Sequence, residues 1–143
     1  MRKAVVVIAL VAIVVPAVAL GGGAKGKGKE LKASLVGSVE VPKGSPTGKG
    51  TAEVYVRSAT RVCWEFTYSG IGKAVAAHIH KGKPGKAGPV VVPFGAAFKR
   101  EGCTTAPAAT VRAILASPAG YYVNVHTAKY PAGAIRGQLK LDT

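Results

Sequence analysis

Apolar and polar residues alternate along most of this chain, which is the pattern of half-buried β-strands. The clearest segment is 61–68, whose four large apolar side chains share one face and predict the centre of the core. These side chains are Val62, Trp64, Phe66 and Tyr68. The other predicted strands are 31–36 with a continuation through Val39 and Val41, 51–56, 77–80, 89–92, 121–127 and 134–141.

Two segments depart from this alternation. Residues 94–109 are irregular, whereas 110–116 have apolar residues at helical spacing, which predicts one or two turns of helix. Glycine and proline mark turns between the strands, notably over 42–50 and 130–133. Short strands with brief turns are typical of an all-β fold. We therefore predict an antiparallel Greek-key sandwich or barrel of about seven to eight short strands with one short helical turn.

The beginning of the chain has the organisation of an export signal. Residues 1–3 are positively charged, an uncharged apolar run follows, and Ala-Val-Ala at 17–19 is the small-x-small motif that signal peptidases cut after. We predict a signal peptide over 1–19, a flexible Gly/Lys tail over 20–30 and one folded domain over 31–143. The alternative for the first segment is an uncleaved membrane anchor.

The chain is strongly basic, with 20 Lys and Arg against six Asp and Glu and a net charge of +14. This balance favours a neutral or anionic partner over a cationic one, so we expect an anionic cell-surface polymer or another extracellular protein. Three lysines of the predicted loop at 81–88 are the candidate anion-binding residues: Lys81, Lys83 and Lys86. Nucleic acid is not expected, since the aromatic residues fall on predicted core faces and an exported protein seldom meets it. Membrane contact is expected only through an uncleaved signal segment.

Two cysteines in an exported domain of this size favour one disulfide, because secreted proteins fold in an oxidising environment. We predict that Cys63 and Cys103 are bonded and that the bridge ties the irregular segment to the outside of strand 61–68. The alternative is two buried thiols. A disulfide agrees with a secreted protein or one at the exterior of the cell envelope.

All three histidines lie on predicted strands. His78 and His80 leave the same face because residues two apart on a strand share a face, and His126 lies on the strand 121–127. If the two strands are neighbours, three imidazoles can hold one copper or zinc ion with water in the open position. The alternative is a purely structural hydrogen-bond network.

Polar residues close to these strands are candidates for that network. Asn124 and Gln138 are the nearest side chains that can orient the imidazoles. Arg136 lies mid-strand beside a glycine, which favours a fixed side chain, and Glu40 is its candidate partner. The alternative is an ordinary exposed strand arginine.

Two long motifs resemble the CHRD domain, named for chordin. They are AHIHKGKPGKAGPVVV at 77–92 and YYVNVHTAKYPAGAIRGQL at 121–139, while GSVEVP at 37–42 resembles the opening strand of the family. The resemblance covers about residues 31–141. It implies an extracellular, all-β domain, as in animal chordins and many small secreted microbial proteins, and it carries no agreed biochemical role.

Catalytic motifs are absent, since there is no G-x-S-x-G, no P-loop and no paired carboxylate cluster. A His-x-His strand on a β-sandwich with one disulfide is similar to copper/zinc superoxide dismutase. That enzyme needs further histidines and an aspartate, whereas the one aspartate here, Asp142, lies next to the C-terminus. We therefore expect a secreted CHRD domain that binds a partner or serves as a structural module, without enzymatic activity. The alternative is a mononuclear copper or zinc protein with a superoxide-dismutase-like His-x-His site.

Overall fold

A computed structural model describes residues 28–143. The predicted signal peptide, 1–19, and most of the predicted tail, 20–30, lie outside the described residues. The first strand begins at Lys29, so regular structure starts slightly before the predicted domain boundary at residue 31. Within the described residues, no helix is long and apolar enough to cross a membrane.

Nine strands and one α-helix make up the described chain. The strands are β1 (Lys29–Val36), β2 (Lys49–Val56), β3 (Arg61–Ser69), β4 (Ala74–Lys81), β5 (Val90–Pro93), β6 (Glu101–Thr105), β7 (Tyr121–Thr127), β8 (Ile135–Gln138) and β9 (Lys140–Leu141). The helix α1 is Ala108–Ala116, and short 3-10 turns lie at Gly37–Val39 and Pro118–Gly120. The predicted helical segment is confirmed, and it begins two residues earlier than predicted.

The strands form a single antiparallel sheet that curls into a nearly closed barrel. Their order is β5-β4-β7-β8-β1-β2-β3-β6, and β9 pairs with β1. This confirms the predicted all-β fold class, as well as the predicted hairpin of β7 and β8. The last predicted strand, 134–141, is two strands, because β8 pairs with β7 while β9 pairs with β1. Leu139 separates them, and its buried side chain is 1% exposed.

The barrel interior holds the apolar faces of the core strands. The predicted core face of β3 is confirmed, since its three central apolar side chains are each 2% exposed: Val62, Trp64 and Phe66. On β1 the alternation buries Leu31, Ala33 and Leu35 completely. The helix α1 adds Val111 and Ile114 to the same cluster. Burial of each large apolar side chain stabilises the folded state by about 1.5–3 kcal/mol. The apolar residues that predict the strands therefore also stabilise the fold.

The segment between β5 and β6 closes the gap between the two ends of the sheet. Its backbone bonds to β4, where Phe98 N–H donates to the Val75 carbonyl at 3.1 Å, and to β3, where Phe66 N–H donates to the Arg100 carbonyl at 2.7 Å. The Phe94 ring packs against Trp64, with 4.8 Å between ring centroids. This aromatic contact joins the segment to the core of the barrel.

The predicted disulfide is confirmed. Cys63 on β3 and Cys103 on β6 are directly opposite in the register and are bonded. The prediction that 94–109 is irregular was wrong for 101–105, which pairs with β3 as β6. Its side chains are exposed or half-buried because it is an edge strand, so its sequence lacks a clear apolar face.

The continuation of the first strand through Val39 and Val41 was also wrong. The chain turns at Gly37–Val39, and both valines are exposed, at 49% and 38%. Glu40 is therefore outside the strand rather than within it, and it is the one residue of this loop segment, 38–41, that is buried, at 4% exposed.

Candidate functional site

A layer of polar side chains covers the outer face of β4, β7 and β8. The register aligns them in rows, because His78 pairs with Asn124 and Asn124 with Arg136, while His80 pairs with Tyr122. Residues two apart on a strand share a face, so the polar residues point away from the core. Two loops, which follow β1 and β4, cover this layer and bury much of it.

The three histidines lie together in this layer. One ligating nitrogen from each ring lies within 4.8 Å of the other two. His78 Nδ1 and His126 Nε2 are 3.0 Å apart. The ring of His80 stacks on Tyr122, with centroids 4.8 Å apart and planes 8° from parallel. The strand pairing of β4 with β7 therefore brings together what the sequence separates by 48 residues.

Two of these rings are oriented by backbone carbonyls. His80 Nδ1–H donates to the Gly88 carbonyl at 2.8 Å, and His126 Nδ1–H donates to the Pro131 carbonyl at 2.9 Å. A neutral imidazole carries one N–H, so these bonds leave the Nε2 atom of each ring as an acceptor. His80 Nε2 is buried, and no group of the described residues bonds to it.

Burial keeps these histidines neutral at physiological pH. Burial, together with the smaller electrostatic effects of His126 and His80, lowers the pKa of His78 to about 4. Burial also lowers the pKa of His80 and of His126, although their carbonyl partners offset part of this effect. An imidazole that stays neutral is available as a hydrogen-bond acceptor or as a metal ligand.

Arg136 is the largest fully buried side chain of the described residues, at 1% exposed. Its guanidinium carbon lies 3.4 Å from the centroid of the Tyr122 ring. Its Nη2 donates to the Lys86 carbonyl at 3.0 Å and to Gln138 Oε1 at 3.3 Å. The side chain is thus fixed, but the predicted partner, Glu40, is not bonded to it, and the loop carbonyls take that place.

Glu40 is the buried carboxyl of this region. Burial raises its pKa to about 7, and the Val41 N–H, the charge of Arg136 and the Asn124 amide offset part of the increase. It packs against Gly133, whose φ of +139° and close approach leave no room for a β-carbon. Its Oε1 atom has no hydrogen-bond partner among the described residues.

The loop that carries the candidate lysines, 81–88, is anchored to the polar layer along its length. Gln138 Nε2 donates to the Gly82 carbonyl at 3.0 Å, and Gly88 N–H donates to the Tyr122 hydroxyl at 3.2 Å. Together with the Arg136 and His80 bonds, these contacts fix the backbone of this lysine loop. Its lysine side chains are all exposed: Lys81, Lys83 and Lys86.

A groove of about 470 Å³ lies next to the lysine loop. Three valines that line it are unusually exposed for large apolar residues: Val36, Val39 and Val41. Glu40 and Arg136 also line it. One buried nitrogen of Arg136, Nη1, has no hydrogen-bond partner among the described residues. This valine groove therefore combines an apolar wall with two unsatisfied polar atoms, as small-ligand sites do.

The acidic residues lie on the other side of the barrel. Glu53, Glu65 and Glu101 are neighbours across β2, β3 and β6. Asp142 lies 2.6 Å from Lys32, which also contacts Glu30. Glu40 is the exception, and the lysine loop itself, 81–88, contains three lysines and no acidic residue.

Sequence comparison places most of the chain in a known family. Residues 31–139 match the family model of the CHRD domain. The chain belongs to the CHRD family. No curated protein and no solved structure matches it. The disulfide is consistent with membership of this family. The family assignment does not favour a metalloprotein.

The sequence did not single out Tyr122, although its ring contacts both Arg136 and His80. A signal was present, because Tyr122 shares the alternating face of Asn124 and His126. The predicted polar residues Asn124, Arg136 and Gln138 do meet in this layer of the CHRD domain. Asn124 Oδ1 lies 3.0 Å from His126 Nε2.

Proposed function

We propose that this CHRD domain is an exported, non-enzymatic binding module that takes anionic cell-surface polymers on its lysine loop. The observation that carries the proposal is the anchoring of that loop by buried side chains of the barrel. Lys83 and Lys86 are held in place because their own carbonyls accept hydrogen bonds from Arg136, at 3.5 and 3.0 Å. A loop with a fixed backbone loses less conformational entropy on binding than a mobile one.

Electrostatics supports the same surface. Exposed lysines attract anionic polymers, and no acidic residue within the loop offsets their charge. The buried charge of Arg136 lies beneath the loop and adds to the positive potential there. The attraction is a long-range one that salt screens over about 8 Å at physiological ionic strength.

The test is retention on an immobilised polyanion, with both heparin and teichoic acid as matrices. We expect the full chain to elute at lower salt when Lys81, Lys83 and Lys86 are all changed to Gln. The matched control changes three exposed lysines elsewhere, Lys73, Lys99 and Lys140, to Gln, and thus removes the same charge.

A smaller shift for the control than for the loop variant supports the proposal. Equal shifts would mean that net charge alone retains the protein, and no shift in either would exclude the loop as a binding surface. Capture of a protein from cell envelope in place of polymer would contradict the choice of ligand.

Export is part of the proposal and is tested separately. A signal peptide cut after Ala19 leaves a mature chain that begins at Leu20. Intact mass measurement of the protein from the culture medium or envelope fraction should show that start. A protein that retains Met1 in the membrane fraction would instead indicate an anchor.

A further inference from the structure

We propose that His78, His80 and His126 form a binding site for one divalent transition-metal ion, with copper(II) preferred over zinc(II). This site goes beyond the proposed polymer binding and does not depend on it. The family assignment gives no support for it. The site is indicated by the three imidazoles that converge in the polar layer.

The first observation is the orientation of two rings. His80 and His126 each donate Nδ1–H to a backbone carbonyl, of Gly88 and Pro131, which leaves Nε2 as the nitrogen of each ring that can bind a metal. Metal-bound histidines almost always donate their second nitrogen in this way, which fixes the ring and increases its basicity. The carbonyls belong to the lysine loop and to the turn before β8, and both are rigidly held.

The second observation is an unsatisfied atom. His80 is 9% exposed, and its Nε2 has no hydrogen-bond partner among the described residues. A buried acceptor without a partner lowers the free energy of unfolding by about 1–3 kcal/mol. Such an atom in a native structure indicates a partner outside the protein chain, such as an ion. A metal ion is a ligand of that kind for an imidazole nitrogen.

The third observation is the contact between the other two rings. His126 Nε2 lies 3.0 Å from His78 Nδ1 and 3.0 Å from Asn124 Oδ1. The coordinating atoms of two histidines therefore already meet within the polar layer. A metal ion bound there would replace the hydrogen bond between these two nitrogens.

The spacing is compatible with coordination after small side-chain rotations. Three nitrogens around one ion at about 2.0–2.1 Å are roughly 3.3 Å apart in tetrahedral geometry. The nitrogens here lie within 4.8 Å of one another, and His78 Nδ1 lies 3.0 Å from His126 Nε2. No acidic side chain joins this group within residues 28–143. An all-imidazole set suits copper and zinc, and copper(II) binds such sites more tightly.

The experiment titrates the metal-free full chain with copper(II) or zinc(II) at neutral pH by calorimetry. We expect one ion per chain, with tighter binding of copper. His80→Ala and His126→Ala should each weaken binding roughly 100-fold or more, since even the loss of an orienting partner costs 10–100-fold. The lysine-loop variant, with Gln at 81, 83 and 86, should bind copper as the wild-type chain does.

Paramagnetic resonance of the copper(II) form gives a readout that needs no variant to fold. Hyperfine splitting from three imidazole nitrogens is expected at one equivalent of copper. Binding weaker than micromolar, or copper spectra identical in the wild-type chain and a folded variant with all three histidines changed to Ala, would overturn the site. The lysine-loop variant tests polymer binding independently of the metal site. Either proposal can therefore fail without affecting the other.

Discussion

The guanidinium of Arg136 and the ring of Tyr122 are in direct contact across neighbouring strands, with 3.4 Å between the guanidinium carbon and the ring centroid. The same guanidinium donates to carbonyls of the lysine loop. A buried cation on an aromatic face is more strongly stabilised than an exposed one, because little water competes for it. This contact links the barrel to the loop that we propose binds the ligand.

Arg136→Ala should lower the free energy of unfolding by roughly 2–4 kcal/mol, because it removes the aromatic contact and leaves loop carbonyls without donors. Urea unfolding followed by tryptophan fluorescence measures the change through Trp64. The matched control is Arg112→Ala on the exposed face of α1, which should change stability by less than about 0.5 kcal/mol. Equal effects of the two substitutions would show that Arg136 is not a structural residue.

Glu40→Gln should change how stability depends on pH. The folded pKa of Glu40, about 7, is above its ordinary value of 4.5, so the folded chain holds this proton more tightly than the unfolded chain does. The contribution of this group to the free energy of unfolding is therefore fully present below about pH 4.5 and is lost as the pH rises to about 7 and above. Compared with the wild type, the variant should gain on the order of 1–3 kcal/mol between pH 4.5 and pH 8.

The difference in unfolding free energy between Glu40→Gln and wild type, measured at several pH values, isolates this group from the histidines. Glu65→Gln removes an exposed carboxylate and serves as the control. A difference that stays constant from pH 4.5 to pH 8 for Glu40→Gln would contradict the assigned burial of this carboxyl.

Replacement of Cys63 and Cys103 together by Ala should lower stability by about 3–4 kcal/mol, since the bridge closes a loop of 40 residues in the unfolded chain. Thermal unfolding of the wild-type protein with and without reductant measures the same effect. The mass of the unreduced protein should be two hydrogens below that of the reduced one. Alkylation of two thiols without reductant would rule the bridge out.

The core strands were predictable from the sequence because their buried residues are apolar and alternate with polar ones, as Trp64 and Phe66 do on β3. The strand β6 was not, since an edge strand without a buried face leaves no such pattern. The position of Glu40 was missed for a different reason. A turn after β1 redirects the chain, and nothing in the local sequence shows that the carboxyl then packs under Gly133.

The histidine cluster was only half predictable. The face shared by His78 and His80 follows from their spacing alone. The position of His126 beside them depends on the pairing of β4 with β7. That pairing joins residues 48 apart in the sequence. The anchoring of the lysine loop by Gln138 and Tyr122 likewise depends on long-range pairing.

Polymer binding as proposed requires that the barrel hold the lysine loop in a binding conformation. Gln138→Ala removes an anchor, the bond to the Gly82 carbonyl, and leaves every charge in place. We expect the polyanion affinity of this variant, measured by titration at fixed salt, to fall about 3- to 10-fold, because the loop must be ordered on binding. An affinity equal to that of the wild-type protein, in a variant that is folded by circular dichroism, would contradict the account.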